Sequence, residues 1–205
     1  MKIISGQNVD LITPFPEAEV PRIFGWKHCY RTLPEDDDAP QEREEFLQGV
    51  REVLPYSFHA GVIDKQRVTS TRHEAPLVGI CMFIPSGRRD GLLHFAVGRR
   101  AFRAGLMQEA LAFFITEVFD SFPELLRMTV VLDESNSPAK SLLRKEGFKF
   151  EGVARDAVMA QGVPRSRVSF GLTRQDCITL IMSIPDSYGV VGTSTQETAN
   201  AAGCE

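Results

Sequence analysis

The side chains whose types suit acid–base chemistry are few in this sequence. His94 sits within the short apolar run Leu92 to Val97, and a histidine titrates where a general base for neutral-pH chemistry must. His73-Glu74 is a second, weaker candidate just ahead of another strand-like run. Asn136, followed by Ser137-Pro138, has the form of a helix N-cap with proline at the first helical position. Glu109 opens another helical stretch, where a carboxylate complements the positive end of the helix dipole. Arg99, Arg100 and Arg103 precede that stretch and are suited either to phosphate contacts or to a solvated loop face. Cys29, Cys81, Cys177 and Cys204 have neither CxxC nor Cys/His spacing, so no metal site is expected and the thiols are read as reduced.

The bulk properties narrow the function classes. A chain of 205 residues with 43% hydrophobic and 24% charged residues fits one globular domain with short extensions. Its net charge of −4 gives no general attraction to nucleic acid or to an anionic membrane, and neither partner is expected. No apolar run reaches membrane-spanning length, and the N-terminus turns polar too soon for a signal peptide. The expected location is the cytoplasm, or the particle if the source is a phage.

These residues need elements to position them. Lys2 to Phe15 reads as one strand, and Phe46, Leu47, Val50 and Leu54 recur at helical spacing until Pro55. Ser57 to Asp64 and Leu77 to Ile84 follow as strands, then Leu92 to Val97. Gly105 to Phe119 places Leu106, Ala110, Phe113, Phe114 and Val118 on one helical face. Met128 to Leu132 is a continuous apolar strand, and Ser137 begins a helix that buries Ala139, Leu142 and Leu143 before Gly147 ends it. Strands from Phe148 to Met159 and Val168 to Leu172 flank a turn at Gln161-Gly162-Val163-Pro164. Residues 1–184 are expected to form one domain. Residues 185–205, rich in Gly, Ser, Thr and Ala, form a tail that would need a protein partner or a second copy of the chain to order it.

The string from Asn136 to Gly152 resembles the signature N-x-x-[SA]-x-x-L-L/Y-x-K-x-G-F-x-x-E-G of the GNAT acetyltransferases. Arg155-Asp156 and Gly171-Leu172-Thr173 are similar to the last strands of the branch that acetylates ribosomal-protein N-termini. The resemblance implies an α/β fold with a mixed, mostly antiparallel central sheet, a splayed central strand pair and helices on both faces. It implies acetyl-CoA as co-substrate, with its pantetheine arm on the strand ending at Val97, its pyrophosphate on the loop Phe102-Arg103-Ala104-Gly105-Leu106-Met107, and contacts from Arg100 and Asn136. Of the family loop Q/R-x-x-G-x-G/A only Gly105 is kept, and the bulk of Met107 is expected to crowd the phosphate.

The family's thiolate acid would fall at Leu143 or Ala139, neither of which can donate a proton. Ser141, five residues beyond Asn136, would point about 140° away from it around a helix. The activity implied is transfer of an acetyl group to an amine, a protein N-terminus or a polyamine-like acceptor, with His94 as the candidate base. The alternative is a catalytically silent structural or adaptor protein of the same fold, of the kind found in tailed-phage particles.

Overall fold

The computed structural model describes residues 1–27, 37, 42–67, 77–98 and 105–183. Its eight strands form one sheet in the order β1-β2-β3-β4-β5-β6-β8-β7. The strands are β1 (Lys2–Ser5), β2 (Val9–Thr13), β3 (Phe58–Asp64), β4 (Leu77–Pro85), β5 (Gly91–Val97), β6 (Arg127–Asp133), β7 (Lys149–Ala160) and β8 (Val163–Thr173). Every pairing is antiparallel except that of β5 with β6, which is parallel. The stretch read as one N-terminal strand is a hairpin. The Gly6 N–H donates to Val9 O at 2.8 Å, and the chain reverses there.

Five helices complete the order: α1 (Val20–Lys27), α2 (Arg43–Val53), α3 (Leu106–Ser121), α4 (Ser137–Lys145) and α5 (Arg174–Ser183). The chain passes from β5 through α3 to parallel β6, and from β6 through α4 to parallel β7. Both right-handed crossovers move the same way across the sheet, which puts α3 and α4 on one face. There Phe83 and Leu93 pack with Phe114 and Val118 of α3 and Leu143 of α4. On the opposite face Ile63 and Ile80 pack with Val20 and Ile23 of α1 and Leu47 of α2.

Local signals explain the helix ends nearest the site. Asn136 Oδ1 accepts the Ala139 N–H at 3.2 Å, Pro138 follows, and Gly147 leaves the helix at φ 79°. The other end of α3 is capped by Arg174, which donates to Phe119 O (2.8 Å), Phe122 O (2.7 Å) and Leu125 O (2.9 Å). The Gln161-Gly162 turn has both residues at positive φ, 55° and 71°. Its two N–H groups donate to the Asp37 carboxylate at 2.6 and 2.9 Å.

The start of α3 is anchored from the far edge of the sheet. Asn8 donates its backbone N–H and its Nδ2 to the two Glu109 carboxylate oxygens, each at 2.9 Å. Glu109 thus stabilises the β1–β2 turn as well as the first helical turn. Glu109→Ala is expected to cost about 1–3 kcal/mol of stability, because both bonds to a charged acceptor are lost together. Denaturant unfolding of the two proteins tests this, and equal midpoints would contradict it.

Candidate active site at the parted strands

Strands β5 and β6 share a single paired position, Leu92 with Thr129, and then part. Beyond it, β5 continues to pair only with β4. The Gly98 N–H donates to Val78 O at 2.7 Å, and the Ser86 N–H donates to Asp90 O at 3.0 Å. Alternation in an antiparallel ladder therefore turns the even-numbered residues of β5 toward β4. The N–H and C=O groups of Phe95 and Val97 face the gap, where no strand stands opposite. A backbone edge of this kind needs polar partners, and an extended amide-bearing chain supplies them.

The gap opens into a cleft of 390 Å³ between β5, the start of α3 and one face of α4. Gly105 and Gln108 form the α3 wall, and Asn136, Pro138, Ser141 and Lys145 belong to the α4 wall. Gly105 is the N-cap of α3 at φ 70° and ψ −1°, and no side chain caps that end. Leu106 and Met107 stand in the first turn, where no partner within the helix can accept their N–H groups. Helix dipole and open donors together make an anion seat.

The positions of the expected site residues divide clearly. Val97, Gly105, Met107 and Asn136 all border the cleft. Leu106 is only 4% exposed, so its side chain belongs to the core and only its backbone is available to a ligand. Arg100, Phe102, Arg103 and Ala104 lie outside the described residues, as do Arg99, His73 and Glu74.

Two expectations are corrected. Met107 does not stand in the way of an anion, because its side chain is 5% exposed and turns into the core. Its sulfur accepts from Cys81 Sγ at 3.8 Å. Gly79 leaves the room for it, since a Cβ there would stand 3.0 Å from Met107 Cε. Ser141 does face the cleft. Asn136 is a cap at φ −74° and ψ 68°, outside the helix, so a helical wheel cannot be counted from it. Counted within α4, Pro138, Ser141, Leu142 and Lys145 fall on one face at the i, i+3, i+4, i+7 spacing.

His94 lies on the other face of the sheet, the one that Ala96 turns toward α1 and α2. Two residues beyond the Leu92–Thr129 pair, it is level with Val131 across the gap. Desolvation lowers its pKa below the ordinary histidine value, so the ring is neutral at pH 7 and able to accept a proton. His59 is also shifted downward by burial, but its Nδ1 already accepts the Phe15 N–H at 2.9 Å. Its role is to hold the turn after β2.

Several groups were not legible in advance. Asp133 is 8% exposed, and its Oδ1 accepts from the Ser135 hydroxyl (2.5 Å), the Ser135 N–H (2.8 Å) and Arg165 Nη2 (3.2 Å). Although burial opposes it, these donors hold the Asp133 pKa below the usual carboxylate value. The cluster fixes the turn that presents Asn136. Glu146, beneath the end of α4, is 5% exposed, and burial pushes its pKa up to about 7. Among the described residues no cluster of three or more His, Cys, Asp or Glu could hold a metal, and no helix is long and apolar enough to cross a membrane.

Solved structures share this architecture. The ribosomal-protein-S5-alanine acetyltransferase of Vibrio fischeri aligns over 85% of this chain and 97% of its own, with a TM-score of 0.64 and 16% identity. RimL, a ribosomal L7/L12 alpha-N-protein acetyltransferase solved in complex with coenzyme A, aligns over 84% and 98%, with a TM-score of 0.66 and 15% identity. The chain has the GNAT fold. An acetyl transferase of Salmonella typhimurium, described as modifying the N-terminal serine of 50S ribosomal subunit protein L7/L12, gives the same TM-score of 0.66 at 15% identity, over 84% and 99%. No family model and no curated protein matches the sequence. At these identities the likeness is one of fold.

Proposed function

We propose that the protein transfers an acetyl group from acetyl-CoA to an amine. The observation that carries this reading is the parting of β5 from β6, which leaves the Phe95 and Val97 backbone facing a cleft that ends at the open N-terminus of α3. Phe95 and Val97 bind the amides of the pantetheine arm as a neighbouring strand would, and the Leu106 and Met107 N–H groups meet the pyrophosphate. Asn136 offers its amide Nδ2 to the arm while its Oδ1 caps α4.

The coenzyme enters from the α3/α4 side, and the amine reaches the gap from the opposite face, past His94 and Val131. Neutral His94 takes the proton that the amine must lose as its nitrogen attacks the thioester carbonyl. The carbon–sulfur bond then breaks, and the thiolate that leaves takes up a proton. Leu143 is fully buried and cannot donate one, nor can Ala139. Ser141 is the hydroxyl on the α4 wall.

Titration calorimetry with acetyl-CoA tests the binding half of this reading, and no heat at millimolar coenzyme would refute it. His94→Gln tests the chemistry. It is expected to leave coenzyme affinity unchanged while slowing amine-dependent release of free CoA by about a hundredfold or more, and to remove the acid limb of the pH–rate profile. An unchanged rate would exclude His94 as the base.

A further inference from the structure

The sheet ends at β7, and among the described residues no strand stands beside its outer edge. The Arg174 N–H donates to Leu126 O at 2.8 Å, and the Glu134 N–H donates to Ser166 O at 3.1 Å. Even-numbered residues of β8 therefore turn their backbone toward β6, and odd-numbered ones bond to β7. Phe150 and Val153 stand opposite the even-numbered Phe170 and Val168, so their own N–H and C=O groups point outward. A bulge between them puts both side chains on the α4 face, where Phe150 is 54% and Val153 44% exposed.

An open strand edge with large apolar side chains is a template for another strand. The charges flanking this one are already engaged. Lys149 Nζ donates to Asp176 Oδ1 at 2.5 Å, and Arg127 Nη2 donates to Glu151 Oε2 at 2.6 Å. At the other end of the same edge the protein supplies its own cover. There Met159, opposite Pro164, also turns its C=O outward, and it accepts the Asp37 N–H at 2.7 Å.

Residues 184–205 follow the end of α5 at Ser183. The Lys149–Asp176 bond sets the first turn of α5 at the start of β7, and Ser183 is about 10 Å farther along the helix. The five residues up to Tyr188 span as much as about 17 Å, enough to return to that edge. Tyr188-Gly189-Val190-Val191 has strand character, and no Val, Leu, Ile, Met or aromatic residue follows it. In an extended chain Tyr188 and Val190 share one face.

We infer that residues 188–191 complete the sheet as a strand added to β7 between Phe150 and Ala154. Tyr188 and Val190 then cover Phe150 and Val153 as cross-strand neighbours. Only this short run needs to be ordered, which limits the entropy cost. The cover is the chain itself rather than an external partner, and the inference does not depend on the proposed acetyl transfer.

Amide exchange followed by NMR on the full chain tests this, with the β3 amides as internal reference. The Phe150 and Val153 amides should exchange about tenfold more slowly in the unaltered protein than in the Tyr188→Ser/Val190→Ser double variant. Gln196→Ala, beyond the run, should keep the protection, and dilution should not change it. Equal exchange in the unaltered protein and the double variant would overturn the inference. Protection that falls on dilution would also overturn it and assign the edge to a second copy of the chain.

Discussion

Glu146→Gln should be more stable than the unaltered protein at pH 8, by up to about 3 kcal/mol, and the advantage should vanish below about pH 4. Glu146 lies 5% exposed at the C-cap of α4, and burial pushes its pKa up to about 7 despite the nearby positive charge of Lys145. The negative end of the helix dipole also disfavours the ionised carboxylate there. The sign follows from proton counting. Between the unfolded carboxyl pKa, about 4.3, and about 7, the folded protein holds a proton that the unfolded chain has released. Stability therefore falls as pH rises through that window, and the whole cost is present above it. Glutamine has no proton to lose. Urea unfolding of both proteins from pH 4 to 8 decides the matter, and parallel stability curves would mean that Glu146 ionises freely.

Gly105→Val should abolish most coenzyme binding while costing little global stability. Nothing lies within 4 Å of a Cβ at this position, so space is not the limit. The constraint is the backbone, which at φ 70° is strongly unfavourable for a β-branched residue, by about 1–3 kcal/mol. A chain that relaxes this strain reorients the peptide groups that open α3. Affinity for CoA should fall about a hundredfold, while the unfolding midpoint shifts only by the strain. Gly105→Asn is the control, because asparagine tolerates the left-handed region, and it should bind nearly as well as glycine. Full affinity in Gly105→Val would remove the α3 N-terminus from the site.

The parts of the fold that were legible in the sequence are those encoded by adjacent residues. The Asn136-Ser137-Pro138 cap and Gly147 fixed α4 to within a residue or two, and the apolar face of α3 was readable from its spacing. The β1–β2 hairpin was hidden because Gly6-Gln7-Asn8 is short and apolar residues continue on both sides. Between the first strand and Ser57 one or two helices were expected but α1 was not placed, and α5 was not anticipated. Pro21 interrupts the pattern of α1, and α5 adjoins a tail of small residues. The site was harder to read because it depends on directions. The inward turn of Met107 needs the bare backbone of Gly79 on a distant strand. The exposure of Ser141 to the cleft depends on where the helix begins. The Asp37 carboxylate reaches a turn more than 120 residues away, which no local pattern announces.

The single pairing between β5 and β6 bears on how the molecule comes apart. Five strands hold together on one side of the gap and three on the other, and the ladder between them is almost absent. Cohesion across the gap falls to side chains under α3 and α4, so the three-strand lobe is expected to open locally before the five-strand lobe does. Its amides should exchange with solvent at lower free energy than those of β3 and β4. A ligand seated in the gap would fasten the two lobes, slowing exchange in β6 and β8 by more than its direct contacts alone account for.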